Sequence, residues 1–489
     1  MGTMTPRCPP KEPLVVILGS TGTGKSDLAV ELATRFRGEV VNADAMQLYQ
    51  GLPVITNKMT TAERRGIPHH LLDHIPLDEP AWIVGDFKRA ANKVIREIRS
   101  RGNLPIVVGG THYYTNALLF EDMFVGPGHE GQGGAAPAAD VVPASDAGRF
   151  PILDEPTEVI LAKLRDVDPV MADKWHPNDR RKISRSLQIY LSHGRPASEI
   201  YAEQKRRTIA ADAAATETAP RGPWENLLFW VYSEPEVLKP RLDRRVDKML
   251  DVGLMDEVLQ MQNHVRAREA SGQEVDYTKG IWQSIGFKEF QPYLDAAAAA
   301  AATPADPDVE KRRAQGLEDM KASTRRYAKS QVRWITTKVV PRLQEQPGAM
   351  DSLFVLDSTD VAQWAANVAE PAAAIARRFL GGEPTPEPVS LSPLARKVLE
   401  TETAGRTPCQ KTCQLCQVTC TTEQDWKKHM RSKRHHAIAR RTKRRALVVV
   451  EPEARPEARP EKEAEVAIAA ESRDSSPEIG LSAFDLPAP

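Results

Sequence analysis

No run in this chain of 489 residues approaches the ~20 consecutive apolar residues that a bilayer-spanning helix requires, so a soluble protein is expected. The first twelve residues hold Arg7, Lys11 and three prolines. They lack both the apolar core of a secretory signal and the Arg-rich amphipathic length of an organellar transit peptide. Cysteine is scarce, at five residues, and unevenly spread: Cys8 stands alone while Cys409, Cys413, Cys416 and Cys420 crowd together. That distribution argues against a secreted disulfide framework and for a metal site in a reducing compartment. Net charge is also absent, at +0. The zero average conceals a segment from Arg406 to Ala446 with twelve Lys and Arg against only Glu423 and Asp425, followed by an acidic, Pro-rich tail. So dense a cationic stretch calls for a polyanionic partner, or serves as an import signal or solvated tail.

What the chain does have begins with Gly19-Ser-Thr-Gly-Thr-Gly24-Lys25-Ser26, placed between the apolar run Leu14-Val-Val-Ile-Leu18 and a helical pattern at Leu28, Leu32, Ala33 and Phe36. Strand, glycine-rich loop and helix in this order form a phosphate-binding loop. Gly19, Gly22 and Gly24 let the backbone turn tightly enough for the N–H groups of Thr21, Thr23 and their neighbours to converge on phosphate oxygens. The helix N-terminus adds partial positive charge and Lys25 a full one, while Ser26 would hold Mg²⁺.

Further strand-like runs at Val40-Val41, Ile106-Val107-Val108 and Leu227 to Val231 alternate with amphipathic helices. The expected fold is α/β, a P-loop NTPase-like parallel sheet with helices on both faces. Ligands of such sheets sit at the carboxyl ends of the strands, which places Gly109-Gly110-Thr111 opposite the phosphate loop. The expected organisation is a catalytic core over 12–125 and 225–345, a helical insertion domain over 150–208, low-complexity insertions at 126–149, 209–222 and 295–310, a linker region at 346–404, a finger with its basic segment at 405–446, and a disordered acidic tail at 447–489.

Two cation stripes recur at helical spacing: Arg241, Arg244, Arg245 and Lys248, then Lys321, Arg325, Lys329 and Arg333. Few acids stand at the matching positions of the second stripe, so its cations are expected to face phosphate or RNA rather than a salt-bridged surface. After Val40-Val41 comes Asn42-Ala-Asp44-Ala-Met-Gln47-Leu-Tyr49. Asp44 would serve Mg²⁺, or with Gln47 and Tyr49 would hydrogen-bond a nucleobase and accept its proton; residue chemistry alone leaves the two even. A kinase or ATPase reading would need an aspartate ending an apolar strand, and none is evident.

Seven motifs stand in an order that resembles the tRNA dimethylallyltransferases, also called tRNA isopentenyltransferases. They are the phosphate loop, Asp44-x-x-Gln47-x-Tyr49, Pro68-His-His-Leu-Leu-Asp73, Val108-Gly-Gly-Thr111, His176-Pro-Asn-Asp179, Arg241 to Glu257, and Gly280 to Phe290. The likeness spans about residues 12 to 340, and the inserted alanine tracts and C-terminal finger point to the eukaryotic branch, in particular to fungi. The resemblance implies transfer of a dimethylallyl group from its diphosphate to N6 of the adenine 3′ of the anticodon, in tRNAs reading codons that begin with U. It makes Asp44 the proton acceptor and Thr111 a neighbour of the reacting groups. Lys25, Arg245 and Mg²⁺ on Ser26 become the groups that neutralise the leaving diphosphate. Gln47, Tyr49, Arg180, Arg185, Arg241, Lys248, Arg325 and Lys329 become the tRNA contacts. Ala45, His112 and Gln188 depart from the residues usual at their positions.

Cys413-x2-Cys416-x12-His429-x5-His435 has the number and spacing of ligands for a tetrahedral zinc site, with Trp426 beside it and His436 as the alternative fourth ligand. The long histidine spacing resembles RNA-binding fingers of the matrin type. The expected assembly is a monomer acting on the tRNA anticodon stem-loop, located in the cytoplasm, with nuclear and mitochondrial pools left open.

Overall fold

The computed structural model describes residues 9–120, 150–203, 206, 224–299, 307–402, 408–416 and 418–446. The expected insertions at 126–149 and 209–222 and the tail at 447–489 lie outside them. No helix among the described residues is long and apolar enough to cross a membrane. The described residues divide into two compact units, the first built from 9–120 with 203, 206, 224–299 and 307–402, the second from 150–202 with 408–416 and 418–446.

The first unit is organised on a six-stranded parallel sheet. Its strands are β1 (Pro13–Gly19), β2 (Gly38–Asn42), β3 (His69–His70), β4 (Leu104–Val108), β5 (Glu225–Tyr232) and β6 (Leu353–Asp357), in spatial order β3-β2-β4-β1-β5-β6. The central strands read as unbroken apolar runs because both faces are covered. Val16, Leu18, Val107 and Trp230 point into one core; Val15, Ile17, Ile106 and Phe229 point into the other. Each such side chain contributes roughly 1.5–3 kcal/mol of burial, which makes this sheet the rigid platform of the molecule.

β1, β2, β4 and β5 fall on the expected runs. The stretch 346–404 does not behave as a linker: its Leu353-Phe-Val-Leu356 run pairs with β5 from Leu228↔Leu353 to Tyr232↔Asp357, and the helix Glu370–Leu380 packs on the second core. The expected insertion at 295–310 is likewise helical at both ends, within Gln291–Ala299 and from Pro307 onward. Its alanines favour helix intrinsically, a propensity that composition-based reading treats as low complexity.

In the second unit, helices Thr157–Val167, Pro169–Lys174 and Arg180–His193 bury Leu161, Leu164, Met171, Ile183 and Leu187. Asp168 joins the first two: its carboxylate accepts from the N–H of Met171 at 3.1 Å and of Ser198 at 2.9 Å. The finger consists of the antiparallel pair β7 (Pro408–Thr412) and β8 (Thr419–Thr422), then helices Glu423–Met430 and Lys433–Ala446. Thr422 caps the first of these helices through the Asp425 N–H.

Candidate active site

The phosphate loop leaves β1 with Gly19, Gly22 and Gly24 all at positive φ. A Cβ at Gly19 would stand 2.3 Å from the Val231 carbonyl oxygen, so that position admits no side chain, and at Gly22 the positive φ of 80° strains any other residue. Thr23 hydrogen-bonds the Ser20 carbonyl at 2.9 Å, and the buried Lys25 ammonium donates to the same oxygen at 2.5 Å.

Past the ends of β2 and β4 the two chains stay bonded: Ala43 N–H donates to Val108 O at 2.8 Å, and Thr111 N–H to Ala43 O at 3.2 Å. This ladder brings Asp44 beside Gly109, Gly110 and Thr111. Asn42 shapes the turn, accepting from Asp44 N–H and donating to Asp44 O and Leu71 O. The Thr111 hydroxyl accepts from the Ala45 N–H at 3.0 Å. Alanine at position 45 therefore keeps its backbone anchored without a hydroxyl of its own.

Asp44, Lys25 and Arg245 form one electrostatic group. Burial raises the pKa of Asp44, and the N–H of Met46 and the charge of Lys25 oppose it. Burial pushes Lys25 down to about 7, against the attraction of Asp44 and with repulsion from Arg245. Burial likewise lowers Arg245 to about 10, against the attraction of Asp44. Two cations and one anion share a poorly solvated pocket, and Arg245 Nε is buried without a hydrogen-bond partner among the described residues. A buried guanidinium donor with no acceptor is a costly arrangement that an anionic ligand would relieve.

Two residues the sequence reading passed over complete the pocket. Gln331 and Tyr327, one turn apart on the helix Pro307–Trp334, both donate to the Gly110 carbonyl, at 2.9 Å and 3.3 Å. They lie two residues off the register of the cation stripe, on the opposite face of the helix. His112 is 3% exposed. Burial and the nearby Lys25 push its imidazole down to about 3, against the Gly19 backbone, so it is neutral.

Several expected tRNA contacts have other roles. Tyr49 is 3% exposed, within the main core. Arg241 donates to Gly22 O, Ser358 O and Thr359 O, bracing the phosphate loop against the segment after β6. The second stripe is not free of acids: Arg325 pairs with Asp243 at 2.5 Å and Lys321 with Asp247 at 2.8 Å, from the facing helix Pro235–Asp251. Gln47 donates to Thr56 O and Asn57 O. Lys248 and Lys329 are exposed. In the second unit Arg180 binds the carbonyls of Leu153 and Glu155, and Arg185 donates to Gln188 Oε1 at 2.9 Å, a role an amide fills as well as an acid.

The remaining motifs are scaffold. Glu257 accepts from the N–H of Val54 and Ile55. Asp73 pairs with the buried Lys58 at 2.5 Å. Asp179 caps the helix Arg180–His193, and Trp282, Phe287 and Phe290 are core. β6 does end in an acid, Asp357, but at the edge of the sheet, where it accepts from Thr359 N–H. The strands flanking β1 run out into Gly109 and Ser233, so the acid of a nucleotide-hydrolysing loop is missing from its usual place.

In the finger, one donor atom from each of Cys413, Cys416, His429 and His435 lies within 4.8 Å of the others. His435 Nδ1 is 3.6 Å from Cys413 Sγ and 3.4 Å from Cys416 Sγ. A tetrahedron with Zn–S near ~2.3 Å and Zn–N near ~2.0 Å has an S···N edge of about 3.5 Å, so the donors are spaced for zinc. His429 Nε2 is buried without a hydrogen-bond partner among the described residues, as a ligand nitrogen would be. His435, rather than His436, completes the set.

The parallel sheet, its phosphate loop and an acid coupled to two cations define an α/β protein of the P-loop class with a candidate anion site at the strand ends. Comparison with known proteins narrows this. The model of the IPP transferase family matches residues 47–338, and a C2H2-type zinc finger matches residues 411–435. A tRNA dimethylallyltransferase of Schizosaccharomyces pombe is 38% identical over 89% of this chain and 96% of its own length. The human tRNA dimethylallyltransferase is 34% identical over 86% and 85%. A crystal structure of a eukaryotic dimethylallyltransferase acting on tRNA superposes with a TM-score of 0.68 at 32% identity, covering 89% of this chain and 98% of that one. The chain belongs to the IPP transferase family.

Proposed function

We propose that this protein transfers a dimethylallyl group from dimethylallyl diphosphate to N6 of adenine-37 in tRNAs that read codons beginning with U. The observation that carries the reading is the poorly solvated Asp44 coupled electrostatically to Lys25 and Arg245, with Arg245 Nε lacking an acceptor among the described residues. An allylic C1 spreads developing positive charge by resonance, so the dominant demand is stabilisation of the departing diphosphate. The phosphate-loop N–H groups, Lys25 and Arg245 meet that demand. The Ser26 hydroxyl would hold Mg²⁺, whose charge would add to that neutralisation when it is bound.

The adenine N6 lone pair is delocalised into the ring, so attack on C1 is helped by a base that takes the N6 proton as the bond forms. Asp44 is that base, and burial keeps its proton affinity high enough for the task. Thr111, bonded to Ala45 N–H, holds the Asp44 turn in register. The finger and its basic helix grip the tRNA backbone, giving affinity rather than base choice. One chain supplies every one of these groups, which favours a monomer, and a cytoplasmic site of action fits the substrate.

The deciding assay follows radiolabelled dimethylallyl from its diphosphate into an anticodon stem-loop, beside ATP hydrolysis by the same preparation. Label on adenine-37 without ATP turnover is expected. ATP turnover without label would overturn the reading.

A further inference from the structure

Gln331 is 3% exposed, and its amide is used at both ends. Oε1 accepts from the Thr21 N–H of the phosphate loop at 2.8 Å, while Nε2 donates to the Gly110 carbonyl at 2.9 Å. One side chain thereby ties the loop that would hold the leaving group to the loop packed against the proton acceptor. Gly110 is where the parts meet. A Cβ on it would lie 2.6 Å from Gln331 Nε2, 2.8 Å from Asp44 Oδ2 and 3.2 Å from the Tyr327 hydroxyl. The missing methyl leaves room for three polar groups around one α-carbon.

We propose that Gln331, supported by Tyr327, is a positioning residue that sets the separation between the diphosphate pocket and Asp44. This deepens the transferase reading and rests on it. In-line transfer needs the leaving oxygen, C1, N6 and the acceptor carboxylate in one geometry, and a displacement of ~1 Å at such a site can cost ~100-fold in rate. The phosphate loop belongs to β1 and its following helix, whereas Asp44 follows β2, and β4 lies between these strands. The backbone ladder from Ala43 to Thr111 fixes Asp44 to the β4 loop. Gln331 supplies the remaining tie, from the β4 loop to the phosphate loop. Its helix reaches both because Arg325 and Lys321, lower on the same helix, are clamped to Asp243 and Asp247.

The test is steady-state kinetics of the full-length protein with dimethylallyl diphosphate and an anticodon stem-loop, on three variants. Gln331→Leu removes both bonds and is expected to lower kcat roughly 10- to 100-fold, with both KM values within about 3-fold and the melting temperature near wild type. Gln331→Glu keeps the acceptor for Thr21, loses the donor to Gly110 and sets a negative charge beside Asp44. A like charge raises the proton affinity of a carboxylate, so the acid limb of its kcat profile is expected to move to higher pH. Tyr327→Phe is expected to cost less than Gln331→Leu, because the amide still bridges the loops. The proposal is overturned if Gln331→Leu turns over at the wild-type rate, if its loss lies wholly in KM or in melting temperature, or if Gln331→Glu leaves the acid limb in place. Wild-type protein that transfers no label would instead remove the transferase reading, so the two failures are told apart.

Discussion

Lys25 holds its proton less tightly than an ordinary lysine. Its ordinary pKa of 10.5 falls to about 7 because burial penalises the ammonium more than Asp44 stabilises it. In the free protein the charged form is therefore lost as pH rises through about 7, and a bound diphosphate would restore it. Calorimetry in buffers of differing ionisation heat is expected to show uptake of close to one proton on binding dimethylallyl diphosphate at pH 8, and little at pH 6, with the difference gone in Lys25→Met. Asp44 behaves in the opposite sense. The proposed base would work as the carboxylate, so transfer is expected to fall as pH drops through a pKa held above the usual ~3.9 by burial. Asp44→Asn should slow transfer by ~100- to 10,000-fold while tRNA affinity, measured by filter binding, stays within a few-fold. Since burial disfavours the charge it removes, the same substitution should not lower the melting temperature; a marked drop would mean that Asp44 is structural.

Among the elements, the close approach of the β2 and β4 ends is the least tolerant. A Cβ at Gly109 would fall 2.1 to 2.7 Å from the Ala43 backbone, contacts that no rotamer change can relieve. Gly109→Ala is expected to cost roughly 1–3 kcal/mol in denaturant unfolding and to displace Asp44, so activity falls further than stability. An unaltered unfolding midpoint would refute the packing argument. This level also shows what the residues made legible. The phosphate loop, β1, β2, β4 and β5 were readable because strand, glycine and helix signals agree locally. β6 was not, because four apolar residues between Ala-, Pro- and Glu-rich stretches carry little signal until β5 is there to pair with them. The cation stripe at Lys321 and Arg325 was misjudged for a related reason: Asp243 and Asp247 lie some eighty residues away in sequence and opposite in space. The zinc ligands needed no such partner, since their spacing alone determines the site. Tyr327 and Gln331 were missed because an uncharged amide and a phenol on a helix carry no spacing signature.

For the molecule as a whole, the proposed function assigns backbone grip to the finger, which lies outside the compact unit that holds Asp44, Lys25 and Arg245. Removing residues 405–446 should weaken tRNA binding and flatten its dependence on salt, while turnover on saturating stem-loop persists. An unchanged slope of log affinity against log salt would assign the finger to another partner. Chelation of zinc should unfold the finger, followed by loss of its far-UV signal, and leave the melting of the sheet unit in place.

β6 adds a consequence for how the protein is made. The outer strand next to β5 is contributed by residues 353–357, and Ser358 and Thr359 just beyond it supply the carbonyls that Arg241 holds. A ribosome adding ~5–20 residues per second has therefore emitted every active-site side chain, through Gln331, before the edge of β5 can be covered. During that interval the nascent chain presents an open apolar edge, a template for pairing with other chains. A premature stop between residues 340 and 352 would spare every proposed active-site group, and its product is expected to aggregate rather than to show partial activity.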